Sequence, residues 1–254
     1  MSVIRTDEWL EDAYYDPLAI CEKLVKHFEG ASADEIYHHF KQHGMYHPLK
    51  KDRMVPDKAV WEIVQHDQDL LQEKWSGPDI PVYIFPSDIT NKEIQTHFNG
   101  RSGLAFRDKL FLFVSAKNTE EEIKAIFTHE YNHVCRLNNF EKREEEYTLL
   151  DTIVLEGLAE NAVRERFGEA CTANWVSFYS DEELEKTLAK YILPKKRILP
   201  QSREYQAILY GFRRYPKMLG YCTGYYLVKR YMEKNSISSE DLLFVETSEI
   251  VGEN

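Results

Sequence analysis

The sequence predicts an α+β fold that is mainly helical and carries one small mixed β-sheet. Apolar residues recur at helical spacing over most of the chain, and glycine or proline follows the main helical stretches. Two short apolar segments, residues 81–85 and 104–114, have the composition of strands. With 254 residues, 43% of them hydrophobic, the chain is also long enough to bury a sizeable core.

Charge and composition narrow the range of partners. The net charge of −11 disfavours nucleic acid and anionic membranes, because surfaces of like charge repel. No apolar run approaches the length of about 18 residues that a transmembrane helix needs. The acidic N-terminus lacks the apolar core of a signal peptide, and the four cysteines form no Cys-x-x-Cys pair. We therefore expect a cytoplasmic protein with free thiols.

The first predicted region, residues 1–75, is helical. Its apolar spacing predicts a helix that ends at Gly30 and a second that is capped by Asp34. A third helix is predicted over residues 57–75, where Gly77 and Pro78 stop it.

Four histidines crowd the second of these helices and the turn after it: His38, His39, His43 and His47. His39 and His43 lie four residues apart and could clamp a metal ion. No acidic residue falls among the four, however, so a solvated helix end is the favoured interpretation. A second metal site is the alternative.

The second predicted region, residues 76–140, combines the sheet with a long helix. Residues 81–85 predict a buried strand, and residues 104–106 and 110–114 predict a hairpin around a polar turn. Such a strand could lie at a sheet edge, where its unpaired backbone groups could hold an extended peptide. Ordinary sheet core is the alternative. The candidate substrate contacts on this strand are Gly103, Leu104 and Ala105.

The long helix contains a His-Glu-x-x-His motif, formed by His129, Glu130 and His133. Two histidines four residues apart point to the same side of a helix. They can therefore bind one Zn²⁺, with the adjacent Glu130 placed as general base toward a water molecule. Because such a motif also occurs by chance, its surroundings decide its meaning.

The surroundings of Glu130 favour a metal site. The helix is predicted to begin at Thr119, which forms a capping-box pattern with Glu122. Glu130 then falls in the middle of the apolar stripe, within about 60° of its centre line. A carboxylate in that position is costly to bury unless it has a partner.

A second long helix is predicted over residues 141–167. Its apolar stripe is interrupted by Glu156 and Glu160, which lie one turn apart and together need a cation or hydrogen-bond donors. We assign Glu156 as the third metal ligand and Glu160 as the acceptor for the outer N–H of one histidine. The two roles could be exchanged, or the helix could be rotated so that both lie at the surface. The neighbouring Gly157 would permit the close approach of another helix.

The third predicted region, residues 141–254, is mostly helical and includes a tyrosine-rich helix near residues 220–228. Three of its tyrosines could donate a hydrogen bond to an oxyanion, with aromatic core packing as the alternative. They are Tyr221, Tyr225 and Tyr226, and Tyr225 is also a candidate substrate contact.

Residues 129–160 resemble the gluzincin zinc peptidases, in which a His-Glu-x-x-His helix is followed by a helix that supplies a glutamate ligand. The segment EGLAE at 156–160 is similar to the E-G-[FL]-A-E segment of their aminopeptidase-type members, and YCTG at 221–224 is similar to their Y-x-x-G element. The whole pattern resembles the YjaZ-type predicted zinc-dependent proteases of bacteria. The chain departs from the aminopeptidase type in one respect, since no G-x-M-E-N motif precedes the metal helix.

This resemblance implies a zincin-like, two-lobed metallopeptidase with a small sheet over the active-site helix. It also implies that Glu156 binds zinc and that Tyr221 donates to the oxyanion.

The favoured prediction is a zinc-dependent peptidase that binds one Zn²⁺ per chain and hydrolyses a peptide or protein substrate. One alternative is a non-catalytic scaffold or regulatory protein whose zinc only ties two helices together. Another is a zinc hydrolase that acts on a non-peptide amide or ester. The peptidase is favoured because histidines and carboxylates interrupt two apolar helix faces in the pattern that a shared metal ion explains.

Overall fold

The computed structural model describes residues 2–48 and 53–252, which are mainly helical with one three-stranded mixed sheet. The predicted α+β class is therefore confirmed, while the two-lobed, zincin-like arrangement stays a prediction. The strands are β1 (Val82–Pro86), β2 (Ser102–Ala105) and β3 (Leu110–Val114). The α-helices are α1 (Thr6–Ala13), α2 (Pro17–Glu22), α3 (Ala33–Gln42), α4 (Ala59–Trp75), α5 (Lys92–His97), α6 (Glu120–Asn139), α7 (Leu149–Phe167), α8 (Asp181–Thr187), α9 (Arg203–Leu209), α10 (Leu219–Asn235), α11 (Ser239–Leu242) and α12 (Thr247–Val251). None of these helices, over the described residues, has the length and apolar character needed to cross a bilayer.

The chain divides into two compact units, Met1–Glu130 and Tyr131–Asn254. Helix α6 contributes residues to both, because the division falls within it. The three-part organisation expected from the sequence, with boundaries at residues 75 and 140, stays a prediction.

The sheet of the first unit has the strand order β1–β3–β2. Strands β1 and β3 are parallel, with Ile84 opposite Leu112, and β2 is antiparallel to β3, with Gly103 opposite Leu112. The strand predicted at residues 81–85 and the hairpin predicted around residues 107–109 are thereby confirmed. Strand β2 lies at one edge of this sheet.

The two faces of the sheet pack against different parts of the first unit. Successive side chains of a strand point to opposite faces. Phe111 and Phe113 share one face, where their rings lie 4.6 and 5.6 Å from the ring of Phe40 on α3. Gly103 belongs to the other face and lies against Glu130 of α6. The sheet therefore has Phe40 of α3 against one face and Glu130 of α6 against the other.

The N-terminal helices differ in detail from the prediction. The first expected helix is divided, because Asp16 caps a new helix, α2, whose first residue is Pro17. Helix α3 is capped by Ser32 rather than by Asp34. The Ser32 hydroxyl accepts the N–H of Glu35, and the Glu35 carboxylate accepts the N–H of Ser32, so two donors of the first turn are satisfied together.

Helix α7 of the second unit begins at Leu149 rather than at residue 141. Thr148 and Asp151 form a capping box, in which the Asp151 carboxylate accepts the N–H of Thr148 at 2.8 Å. Asp151 also accepts a hydrogen bond from Lys142 at 2.5 Å. These bonds fix the helix start, because they satisfy backbone donors that would otherwise lack partners.

Helices α7 and α10 cross closely at two glycines. A Cβ atom built at Gly157 would clash with the backbone of Gly224, and one built at Gly224 would lie 2.9 Å from the carbonyl carbon of Ile153. The buried Asn161 joins the same helices, since its amide donates to the carbonyl oxygens of Gly157 and Tyr225 at 2.8 and 3.0 Å. The neighbour that Gly157 admits is therefore α10.

The second half of α6 is joined to the C-terminal helices by Arg136. Its buried guanidinium donates to the carbonyl oxygens of Leu242 and Leu243, both at 3.1 Å. Asn139 adds a third hydrogen bond, also to the carbonyl of Leu243. Burial lowers the pKa of Arg136 to about 10, which leaves the side chain charged at neutral pH. A cation at the carbonyl end of α11 is favourable, so this contact fixes the turn of α6 that follows the motif.

Candidate metal centre

Helix α6 begins as predicted and carries the histidine motif without interruption. The Thr119 hydroxyl accepts the N–H of Glu122 at 3.2 Å, and the Glu122 carboxylate accepts the N–H of Thr119 at 3.0 Å. The predicted capping box is confirmed. The helix then continues through His129 and His133, so the two imidazoles lie one turn apart on one side.

Glu130 lies on the apolar stripe of α6, as predicted. Phe127 and Val134, the stripe residues on either side of it, are fully buried, and Glu130 itself is only 7% exposed. His133 is also buried, whereas His129 is half-buried. A carboxylate in such a place needs compensation by hydrogen bonds or by charge, which makes Glu130 a strong candidate for a chemical role.

The structure brings together the three predicted metal ligands. Ligand atoms of His129, His133 and Glu156 all lie within 4.8 Å of one another, and Nε2 of His133 lies 3.6 Å from Oε2 of Glu156. Among the side chains of residues 2–48 and 53–252 that the structure describes, this is the one such group of three or more His, Cys, Asp or Glu.

The chemistry of this group, and the separation of the His133 and Glu156 ligand atoms, fit zinc. Two imidazole nitrogens and one carboxylate oxygen are a ligand set of known catalytic zinc sites. A tetrahedral zinc ion with bonds of about 2.0–2.2 Å keeps its ligand atoms roughly 3.3–3.6 Å apart. The separation of 3.6 Å between His133 and Glu156 agrees with that spacing. The assignment of these three side chains as ligands stays a prediction that the geometry supports.

Glu160, one turn beyond Glu156, is buried at 4% exposure. Its Oε1 atom accepts the backbone N–H of Ala173 at 2.6 Å, so the carboxylate joins α7 to the segment that follows it. The predicted role of Glu160 as acceptor for a histidine N–H stays a prediction.

Tyr221 of α10 reaches the carboxylate of Glu156. Burial raises the pKa of the Tyr221 hydroxyl well above its usual value of 10, and the nearby Glu156 carboxylate and Tyr210 raise it further, in part through hydrogen bonds. The ring of Tyr221 packs edge-on against Trp175, at a centroid distance of 5.3 Å. Tyr221 therefore keeps its proton at neutral pH and can act as a hydrogen-bond donor.

The other two candidate tyrosines have different neighbours. The Tyr226 hydroxyl donates to Glu185 at 2.7 Å and accepts from Arg230 at 3.0 Å, so it belongs to a polar cluster of α8 and α10. Burial raises the pKa of Tyr225 to about 12, and its ring lies 6.4 Å from that of Trp175. Of the three, Tyr221 is the tyrosine whose pKa responds to Glu156.

Two further tyrosines near Glu156 were missed by the sequence analysis. The ring of Tyr210 lies 5.6 Å from that of Tyr221, and the hydroxyl of Tyr205 shares a hydrogen bond with Thr152 on α7. Burial raises the pKa of both, to about 12 for Tyr205, and the charge of Glu156 contributes to each. They lie on or just after the short helix α9, whose sequence carries no motif that would have revealed their position.

Gly103 is the residue of the predicted substrate strand that lies nearest to the motif. A Cβ atom built at Gly103 would lie 2.6 Å from Cδ and 2.7 Å from Oε1 of Glu130. Leu104 and Ala105 follow it on the half-buried edge strand β2. The position of β2 at a sheet edge agrees with a role in peptide binding, which stays a prediction.

The histidine cluster of α3 has no comparable ligand set among the described residues. His43 follows the last residue of α3, and its Nδ1 lies 2.8 Å from the carbonyl oxygen of His39 in the last turn; His38 lies within hydrogen-bonding distance of Gln42. His47 forms an ion pair with Asp88 when it is protonated, at 3.4 Å.

Comparison with known proteins gives the chain a family. The chain matches the family model described as "Predicted Zn-dependent protease (DUF2268)" over residues 60–252. It is 39% identical to the Bacillus subtilis (strain 168) protein YjaZ over 253 residues, which cover 96% of both proteins. It is 23% identical to YjfC of the same organism over 192 residues, 72% of this chain and 63% of YjfC. Both relatives are described as uncharacterized. No solved structure matches the chain. By the extent of these matches, the chain belongs to the DUF2268 family of predicted Zn-dependent proteases.

Proposed function

We propose that this protein is a zinc-dependent peptidase of the gluzincin type, with one zinc ion per chain. The observation that carries the proposal is the convergence of ligand atoms from His129, His133 and Glu156 to within 4.8 Å, beside the buried carboxylate of Glu130. Family membership supports the same chemistry, because the family is described as a predicted Zn-dependent protease.

The three ligands hold the ion, and the other residues move protons and position the substrate. When bound, zinc acidifies a water molecule and polarises the scissile carbonyl group. Glu130 accepts the proton of the attacking water and later donates it to the leaving amine. Its placement in an apolar stripe excludes bulk water, which strengthens its electrostatic interactions with the reacting groups.

Tyr221 is the proposed donor to the oxyanion of the tetrahedral intermediate. Its interaction with Glu156 supports a position near the reacting carbonyl, and its raised pKa keeps the hydroxyl protonated. A hydrogen bond that strengthens as negative charge develops stabilises the transition state more than the ground state.

The proposed substrate is an extended segment of a peptide or protein. Its backbone would pair with the free edge of β2 at Gly103, Leu104 and Ala105, as peptides pair with exposed sheet edges in other proteins. Tyr225 is a further proposed substrate contact. Nucleic acid and anionic membranes are not proposed as partners, because the chain carries a net charge of −11. The cytoplasm remains the predicted location.

The test is metal analysis combined with turnover of a peptide library by the wild type, Glu130→Gln and His133→Ala. We expect the wild type to hold one zinc ion per chain and to cleave peptides. Glu130→Gln should keep its zinc but lose turnover by about 10²- to 10⁴-fold, because it cannot accept a proton. His133→Ala should lose both zinc and turnover.

Two outcomes would contradict the proposal. Full activity of Glu130→Gln would remove the proposed base. A wild type that holds stoichiometric zinc but cleaves no member of the library would favour a structural role for the ion. Cleavage of amide or ester substrates without cleavage of peptides would instead favour a hydrolase of small molecules.

A further inference from the structure

Gly103 occupies a place that no other residue type could occupy without moving Glu130. A Cβ atom at this position would clash first with Cγ of Glu130 and would lie 2.6 Å from Cδ and 2.7 Å from Oε1, closer than real Cβ atoms come to other heavy atoms. The contact involves the carboxyl group itself. It therefore concerns the end of the side chain that would carry out the chemistry.

The backbone of Gly103 gives no other reason for glycine. Its φ angle lies outside the left-handed region that favours glycine, in contrast to Gly100, where φ is 72°. Glycine inside a strand weakens it, because it loses more conformational freedom and offers no side chain to pack. Space for Glu130 thus accounts for a glycine at position 103.

A second small residue of β2, Ala105, lies on the same face of the strand as Gly103. Because side chains alternate along a strand, Gly103 and Ala105 share the face of β2 that is directed toward Glu130. Their partners across the ladder, Leu112 and Leu110, are large and fully buried. On this face of the sheet, β3 therefore carries large side chains, whereas β2, which lies beside Glu130, carries small ones.

We infer that Gly103 is a positioning residue for Glu130: its missing side chain forms the slot in which the Glu130 carboxylate is held. The slot limits the rotamers of Glu130, since a buried side chain in close contact with a backbone has few alternatives. The inference deepens the proposed function and rests on it for the role of Glu130 as base. The existence of the slot does not depend on that role.

The slot can be tested by a thermal double-mutant cycle on metal-free protein. Gly103→Ala should lower the Tm of the wild type by about 3–8 °C, because it overpacks the contact with Glu130. In a Glu130→Ala background the same substitution should leave the Tm unchanged or raise it, because the space is then free. If Gly103→Ala alone does not fold but the double variant Gly103→Ala/Glu130→Ala does, the result also supports the slot. Equal effects in both backgrounds, or failure of both to fold, would overturn the inference.

The effect on Glu130 can be tested by the kinetics of Gly103→Ala. We expect kcat to fall by on the order of 100-fold with little change in KM, since a displaced base affects the chemical step. Zinc content should stay at the wild-type value, because the ligands are untouched. Ser102→Thr is the matched control, since it also adds one methyl group but on the opposite face of β2, and it should keep the wild-type kcat. An unchanged kcat in Gly103→Ala would overturn the positioning role.

Failure of this inference is distinguishable from failure of the proposed function. If the wild type cleaves peptides but the thermal cycle shows no coupling, the peptidase stands and the role of Gly103 is wrong. If the wild type cleaves nothing but the cycle shows coupling, the slot for Glu130 stands and the peptidase is wrong.

Discussion

Two histidine pairs of this protein have a spacing of four residues, one within α6 and one at the C-terminal end of α3, and they differ in what lies beside them. On α6, His129 and His133 meet the carboxylate of Glu156, which belongs to α7. On α3, the rings of His39 and His43 lie 4.4 Å apart, but they belong to no group of three ligands among the described residues. The spacing along the helix is the same in both places.

The comparison shows that the spacing of two histidines sets only their common direction. The third ligand must come from another element, which has to be held at the correct distance. Helix α7 meets this requirement, because its start is fixed by Thr148 and its crossing with α10 is fixed by Gly157 and Gly224. A histidine pair without such a neighbour remains available for local hydrogen bonds, as His43 illustrates.

The largest expected difference between the two histidine pairs is in zinc binding. His133→Ala should lower the affinity for zinc by on the order of 10³-fold or more, because a ligand is lost. His43→Ala should leave the affinity unchanged. Competition with a chelating dye measures both. Similar losses in the two variants would mean that the histidines of α3 also hold the ion.

Removal of the metal gives an independent check of the same comparison. A chelator should lower the Tm of the wild type and of His43→Ala by several degrees, because zinc stabilises only the folded protein. It should have little effect on His133→Ala, which has already lost the ion. A chelator effect of wild-type size in His133→Ala would locate the zinc elsewhere.

A smaller effect is expected for the tyrosines of α10. Tyr221→Phe should lower kcat by about 10²- to 10³-fold with zinc retained, because the proposed oxyanion donor is lost. Tyr226→Phe is the matched control, because its hydroxyl is engaged with Glu185 and Arg230, and kcat should stay near the wild-type value. Steady-state kinetics on a cleaved peptide measures both variants. Equal kcat values for Tyr221→Phe and the wild type would remove Tyr221 from the mechanism.

The smallest effect concerns the start of α7, and it depends on pH. Burial raises the pKa of Asp151, but hydrogen bonds from Lys142 and Thr148 outweigh it, so the pKa lies below its usual value of 3.8. A carboxyl group whose pKa is lowered in the folded state adds stability above the pKa of the unfolded state. That stability is lost as the pH falls through the lowered pKa.

Asp151→Asn should therefore lower the free energy of unfolding at pH 7, and the difference from the wild type should shrink below about pH 3.8. Urea unfolding at several pH values measures this. Glu35→Gln, which alters the corresponding cap of α3, should show the same pH trend without any change in zinc affinity, since its pKa is also lowered by hydrogen bonds to Ser32. A difference between Asp151→Asn and the wild type that is independent of pH would contradict the account.

Local signals were sufficient for the start of α6 and for the sheet. Three features were predicted correctly, because each depends on residues close together in the chain. They are the capping pair Thr119 and Glu122, the hairpin after residue 104 and the position of Glu130 on the apolar stripe. The predicted start of α7 was wrong. The helical sequence pattern extends to residues before Thr148, but the cap at Thr148 and the contact of Lys142 with Asp151 make the helix begin at Leu149. The approach of Tyr205 and Tyr210 to Glu156 was not foreseen, because it depends on packing between segments distant in sequence.

The sequence by itself determined the direction of the two imidazoles, the apolar setting of Glu130 and the pair of glutamates on the next long helix. These follow from the helical repeat, which is a property of neighbouring residues. Only the tertiary structure decided that Glu156 meets the histidines, that Tyr221 reaches Glu156, and that Gly103 leaves room for Glu130. These distances depend on how helices and strands pack, and packing is set by the shapes of side chains that are far apart in sequence.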